Sequence, residues 1–188
     1  MTAGPPRLWL VRHAAPLVAP GTCYGRLDLR ADAQATQRAA QALAQALPPQ
    51  VRLLSSPLQR CTQLAQALCA LRPGLRCAED ARLQEIDFGQ WEGRPWNDLP
   101  RAELDAWAQD LNSYAPGGGE PLAAMLARVR SALADTRQRA SAQDTVWISH
   151  AGVARCVHWL QQQPEQTPTS AQWTQAAPAP GEWITFLP

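Results

Sequence analysis

Three stretches of the chain are short apolar runs: "RLWLV" (7–11), "VRLLSS" (51–56) and "DTVWIS" (144–149). Each has the length of a strand and little polar alternation, the pattern of a strand buried on both faces. Between them, apolar positions recur at helical spacing. Residues 31–49 carry Ala39, Leu43, Ala46 and Leu47 on one face, and Pro48-Pro49 ends the run. Residues 57–71 carry Leu58, Cys61, Leu64, Ala65 and Leu68, and "RPG" (72–74) ends them. Pro57 is expected in the first turn, where its missing N–H costs nothing. Residues 97–110 predict a short helix and 151–163 a helix directly after the third strand. Residues 120–139 predict a long amphipathic helix through Leu122, Met125, Leu126, Val129 and Leu133. The turn "PGGGE" before it is expected to be a helix start capped by Glu120.

The remaining segments lack long periodicity. Residues 75–96 read as a strand followed by a structured loop, and 164–182 as an irregular segment that buries Trp173. Trp183 opens "WITFL" (183–187), which predicts a closing strand. Strands separated by helices imply an α/β protein, with a mainly parallel sheet covered on both faces. No internal repeat is visible, and 188 residues suit a single domain over 1–188.

Composition narrows the function. Apolar residues make up 46% and charged residues 18%, as in a globular domain with a sizeable core. The net charge of +1 offers no bulk attraction for nucleic acid or an anionic membrane. Arg7 and Arg12 bracket only a short apolar run, so no signal peptide is expected, and no run approaches the roughly 18 residues of a membrane span. A cytoplasmic protein, monomer or homodimer, is the expectation. The five cysteines are scattered without a C-x-x-C pair, which argues against a disulfide framework or a zinc–cysteine cluster. Cys61 and Cys69 read as small core residues, and Cys23 as a candidate thiol near a suspected site. All 17 basic residues are arginine. A P-loop lysine and a Schiff-base lysine are thereby excluded, and any anion site must be built from guanidinium groups.

The chemistry gathers at the strand ends. The first strand ends in Arg12-His13. The second ends in Ser55-Ser56-Pro57, with Arg60 one helical turn on, and the third in Ser149-His150, followed by Ala151-Gly152. In a parallel sheet these ends share one edge, where ligands bind. Arg12, His13, Arg60 and His150 would converge there as a site for a dianion such as a phosphoryl group. Helix N-termini after Pro57 and His150 would add N–H donors. A neutral histidine can attack phosphorus and form a phosphohistidine that water later hydrolyses. A proton donor for the leaving alkoxide is then also required.

Four segments, "LVRHAAP", "SSPLQRCTQLA", "LQEIDFGQWEG" and "SHAGVAR", resemble in order and spacing the motifs of the histidine phosphatase (phosphoglycerate mutase-like) superfamily. The resemblance covers roughly residues 7–160. It implies a three-layer α/β/α sandwich and a metal-independent phosphomonoesterase that needs no cofactor. In that reading His13 is the nucleophile, with its tautomer set by a hydrogen bond to a backbone carbonyl. Arg12, Arg60 and His150 hold the phosphoryl group, and Glu85 is the general acid, ahead of its rivals Asp87 and Glu92. His158 is expected to be an ordinary helix residue rather than a ligand.

Two further segments, "GTCYGRLDL" and "APGGGEPLAAMLARV", resemble α-ribazole phosphatases of cobalamin biosynthesis. They imply α-ribazole 5′-phosphate as substrate. Tyr24, Gly25, Arg26 and Ala151 become candidates for substrate binding, with Gly25 admitting backbone to phosphate and Arg26 serving either as a ligand contact or as the partner of Asp28. Residues 85–120 are expected to be a substrate-shaping insertion. The alternatives are another small phosphate ester (a sugar phosphate or a nucleotide), a phosphohistidine protein, a phosphoglycerate mutase, or a binding domain without activity. Where the family commonly has Gly-Glu-Thr after the histidine, this chain has Ala14-Ala15-Pro16, which favours hydrolysis over transfer.

Overall fold

The apolar runs form the middle of one five-stranded sheet. Its strands are β1 (Leu8–Arg12), β2 (Val51–Ser55), β3 (Cys77–Glu79), β4 (Asp144–Ser149) and β5 (Trp183–Phe186), in the order β3-β2-β4-β1-β5. The first four are parallel, and β5 closes the edge antiparallel to β1. The computed structural model describes residues 5–139 and 143–187.

Five α-helices cover the sheet: α1 (Ala33–Ala46), α2 (Gln59–Leu71), α3 (Arg101–Gln109), α4 (Leu122–Gln138) and α5 (Ala151–Gln162). Pleating sends alternate side chains of each strand to opposite faces. Leu8, Leu10, Leu54 and Trp147 join the core beneath α4 and α5. Val11, Leu53, Val146 and Ile148 join the core beneath α1 and α2. Both faces are covered, which explains strands that are apolar almost throughout. The result is an α/β/α sandwich with a mainly parallel sheet. None of the described helices is long and apolar enough to cross a membrane.

The topology positions the site. β1 and β4 are neighbours in parallel register, with Arg12 opposite Ser149. The helix that follows β1 joins one face and the helix that follows β4 joins the other. This divergence opens a crevice at the carboxyl ends of the two strands.

Local details differ from expectation in three places. Pro57 lies two residues before the first residue of α2, and Leu58 is the N-cap residue without a side-chain cap of its own. The cap is supplied from afar: Asp28 Oδ1 accepts from the Gln59 backbone N–H at 2.7 Å and Oδ2 from the Gln59 amide at 3.0 Å. Glu120 does not cap α4; its carboxylate is engaged by Arg128, and Pro121 occupies the N-cap position. Residues 81–118 include four short 3-10 turns besides α3, at Ala81–Leu83, Gly89–Trp91, Trp96–Asp98 and Pro116–Gly118.

Candidate active site

His13 stands one residue beyond β1. Its backbone N–H donates to the Ser149 carbonyl at 3.0 Å, so the β1–β4 pairing holds its backbone. Nδ1 lies 2.7 Å from the Ala14 carbonyl oxygen, which can only accept. The ring proton is therefore on Nδ1, and Nε2 carries a lone pair. Arg60 Nε–H points at that nitrogen from 3.2 Å. The imidazole pKa is lowered to about 3, first by burial and then by the Arg60 charge; the bond to Ala14 opposes them and Arg12 adds a smaller push downward. The ring is neutral at physiological pH.

Arg60, the second residue of α2, is fully buried. Its Nη1 donates to the Leu27 carbonyl at 2.8 Å and Nη2 to the Gly25 carbonyl at 2.5 Å. Among the described residues it has no carboxylate partner within ion-pairing distance. A buried cation is costly unless an anion arrives to pair with it.

His150, between β4 and α5, is also fully buried, and its ring centroid is 5.1 Å from that of His13. Nε2 lies 2.8 Å from Ser56 Oγ. That oxygen also accepts from the Leu58 N–H at 3.3 Å, and its hydrogen can turn to His150 Nε2; Cys61 Sγ lies 3.5 Å from the same nitrogen. With the Ser56 hydroxyl donating to Nε2, the His150 proton is on Nδ1, a buried atom that has no partner among the described residues. Burial first, then the charge of Arg60, pushes its pKa well below the ordinary value. Arg12 Nη1 donates to the Pro178 carbonyl at 3.1 Å, while its buried Nε has no partner among the described residues.

Glu85 bridges two segments. Its Oε1 accepts from the Ile86 N–H at 3.0 Å, and Oε2 from the Gly152 N–H in the first turn of α5 at 2.9 Å. Arg128 of α4 braces this loop. Its guanidinium donates to the carbonyls of Arg82 at 2.8 Å, Gln84 at 2.6 Å and Glu85 at 3.2 Å. Its other two bonds go to the two oxygens of Glu120, both at 2.7 Å. Among the described residues, no three His, Cys, Asp or Glu side chains converge as a metal site requires.

Residues 8–179 match the model of the histidine phosphatase superfamily, branch 1. The chain belongs to that superfamily. Phosphoserine phosphatase 1 of Hydrogenobacter thermophilus is 30% identical over 109 residues, which is 56% of this chain and 51% of that protein. The match thus spans about half the length of that relative. A mycobacterial glucosyl-3-phosphoglycerate phosphatase in complex with VO3 superposes with a TM-score of 0.78 at 26% identity, over 96% of this chain and 92% of the other. TTHB049 from Thermus thermophilus superposes with a TM-score of 0.69 at 29% identity, over 95% and 92% of the two chains.

A cavity of about 490 Å³ opens over His13. Arg12, Tyr24, Glu85 and Ala151 share its wall with His13, while Arg60 and His150 lie buried behind it. Tyr24 also packs its ring 5.7 Å from the Arg60 guanidinium carbon.

Gly25 and Arg26 lie off the cavity wall. A Cβ on Gly25 would run into the Ile86 carbonyl and sit 2.8 Å from Phe88 Cδ2. Close packing of two loops, rather than backbone approach to phosphate, demands glycine there. Arg26 faces Asp87 at 3.4 Å, not Asp28, which is occupied capping α2. The α2 N-terminus is therefore already satisfied, and of the two expected helix ends only that of α5 reaches the cavity.

The rival carboxylates hold loops. Asp87 Oδ1 accepts from the Gly89 N–H at 2.7 Å, and Glu92 Oε1 from the N–H groups of Arg26 at 2.8 Å and Phe88 at 2.9 Å. Cys23 is fully buried, and burial reinforced by the Glu92 charge raises its thiol pKa to about 12, so it is no nucleophile at neutral pH. His158 sits in α5 with its ring 6.1 Å from Phe186.

Sequence reasoning missed Arg128, which pairs with Glu120 across eight positions and shows no local spacing signal. It also missed Arg155 and the segment from Trp173 to Gln175, which complete the cavity wall from α5 and the irregular C-terminal stretch.

Proposed function

We propose that the protein is a metal-independent phosphomonoesterase that acts on a small phosphate ester through a phosphohistidine at His13. The observation that carries this reading is the His13 Nε2 lone pair, held at a cavity floor against a buried arginine that has no carboxylate partner among the described residues. Arg12 Nε and His150 Nδ1 are further buried nitrogens without partners among the described residues. A phosphoryl dianion supplies acceptors for both guanidinium groups and for a proton on His150 Nδ1, and their positive potential grows more favourable as charge develops on the transferring oxygens.

In the first step His13 Nε2 attacks phosphorus and the ester P–O bond breaks. The electron pair leaves with the alkoxide, which takes the proton that Glu85 carries into this step as a carboxylic acid, leaving the carboxylate. Arg128 is a positioning residue here, since it holds the backbone from which Glu85 projects. In the second step Glu85 takes a proton from water, whose oxygen attacks the phosphohistidine. The P–N bond breaks, inorganic phosphate leaves and neutral His13 is restored.

The substrate within this class is the finer question. The relatives named above act, by their names, on phosphoserine and glucosyl-3-phosphoglycerate, which supports a small phosphate ester and does not single out α-ribazole 5′-phosphate. The α-ribazole reading retains the two sequence segments that suggested it.

The test is a rapid quench into alkaline denaturant with ³²P-labelled ester, because a P–N linkage survives base and is hydrolysed by acid. Wild type is expected to retain label in an acid-labile, base-stable linkage, and His13→Ala to retain none and to lose turnover. Equal turnover by the two proteins would overturn the assignment. Kinetics across α-ribazole 5′-phosphate, phosphoserine and sugar phosphates then rank the substrates.

A further inference from the structure

Beyond the phosphate end, the cavity is walled mainly by aromatic and aliphatic side chains. Phe88, Trp96, Trp107 and Trp173 line it, together with Leu111 and Met125. The first three form a continuous surface. Phe88 meets Trp96 and Trp107 edge-on at 5.4 Å and 5.8 Å, and the two indoles lie nearly parallel at 9°. Trp91 backs this surface: it is almost fully buried, packs at 5.7 Å from Trp107, and anchors its indole N–H on Glu103 at 2.7 Å. The indoles are therefore held in place before any ligand arrives.

Polar groups at this end are few and partly engaged. Arg155 Nε–H donates to the Gln175 carbonyl at 3.1 Å, and the Gln175 amide donates to the Gln172 carbonyl at 3.1 Å. Thr174 and Tyr24 are the other polar lining side chains away from the phosphate end. A polyol carried into such a chamber would leave hydroxyls without partners, which opposes binding. A planar apolar ring would lose only water and gain stacked contact with rigid indoles.

We infer that the alcohol portion of the substrate carries a planar, largely apolar ring that docks on the Phe88–Trp96–Trp107 surface while the phosphoryl group sits over His13. The inference rests on the phosphomonoesterase reading for the second half of that pose and on the chamber for the first. The volume of about 490 Å³ suits it, since it falls among small-molecule sites of about 300–1,000 Å³ and exceeds what a phosphoryl group fills.

The test compares 2-naphthylmethyl phosphate with glucose 6-phosphate, two primary alkyl esters, so that chemical activation of the leaving group is not the variable. Wild type is expected to favour the naphthyl ester by at least about tenfold in kcat/KM. Trp107→Ala is expected to shrink that ratio by about tenfold and Trp107→Phe to restore most of it. An equal or reversed preference in wild type, or a ratio untouched by Trp107→Ala, overturns the inference.

Binding by wild type reads the chamber without turnover. Naphthylmethylphosphonate, which is not hydrolysed, is expected to bind at least about tenfold tighter than methylphosphonate by calorimetry. Equal affinities overturn the ring subsite even if esters are hydrolysed. Tight naphthyl binding without turnover of any ester overturns the phosphatase reading and leaves the subsite standing.

Discussion

Replacement of Gly152 by alanine isolates the contribution of Glu85. Gly152 lies in the first turn of α5, and its N–H holds one oxygen of the Glu85 carboxylate at 2.9 Å. A Cβ built on Gly152 would collide with the other oxygen and stand 3.0 Å from both Glu85 Cδ and Met125 Cε. The carboxyl group is the movable partner, so it must retreat by about an ångström, and a misplacement of that size costs about a hundredfold in rate. This corresponds to about 2.7 kcal/mol of transition-state stabilisation, within the usual range for a general acid. The fold itself should not suffer. Gly152 is not among the glycines with positive φ, and alanine in place of glycine inside a helix gains roughly 0.5–1 kcal/mol. The assay is kcat/KM for two esters. Glycerol phosphate releases a strongly basic alkoxide that must be protonated, and the value should fall about a hundredfold. p-Nitrophenyl phosphate releases a stable phenolate, and the fall should stay under about tenfold. Equal losses on both esters would show that the carboxyl group does not deliver the proton, and no loss on either would show that its position is immaterial.

Other outcomes follow from the same geometry. Arg60→Lys should lower kcat/KM by at least about a hundredfold, because one ammonium cannot serve the Gly25 and Leu27 carbonyls, His13 and a phosphoryl group together; a near-normal rate would show that any cation suffices. Arg128→Met should destabilise the protein by about 3–5 kcal/mol in denaturant titration, since it leaves Glu120 unpaired in a mostly buried position, and Arg128→Met with Glu120→Gln should recover part of that loss. Acid should weaken the fold through the two site histidines. Burial holds His13 near pKa 3 and His150 well below the ordinary value, so the unfolded chain, with pKa near 6.5, binds their protons first as pH falls. Their stabilising effect is complete above about pH 6.5 and shrinks below it, by about 1.4 kcal/mol per pH unit for each histidine. Urea titrations at pH 7, 6 and 5 should show a slope that is shallower by one such increment in His13→Asn, and identical slopes would refute the assignment of a neutral, buried His13.

The pattern of apolar runs and helical stripes was enough to place the central strands and the flanking helices. Strands covered on both faces must be apolar along their length, and helices covered on one must be apolar along a stripe, so burial writes itself into the chain as periodicity. The same logic put Arg12, Arg60 and His150 near His13, because parallel strands end on one edge. What the sequence could not express was contact between segments distant in the chain. Asp28 caps α2 and so removes that helix end from the site, a bond across 31 positions. Arg26 turns to Asp87 and Gly25 packs under Ile86 because the loops fold onto each other. Arg128 and Glu120 brace the Glu85 loop without any spacing that marks them. The aromatic chamber gathers Phe88 from a loop, Trp107 from α3 and Trp173 from the irregular C-terminal stretch, three segments far apart in the chain. Periodicity reports which face of an element is buried; only the packed structure reports what that face meets.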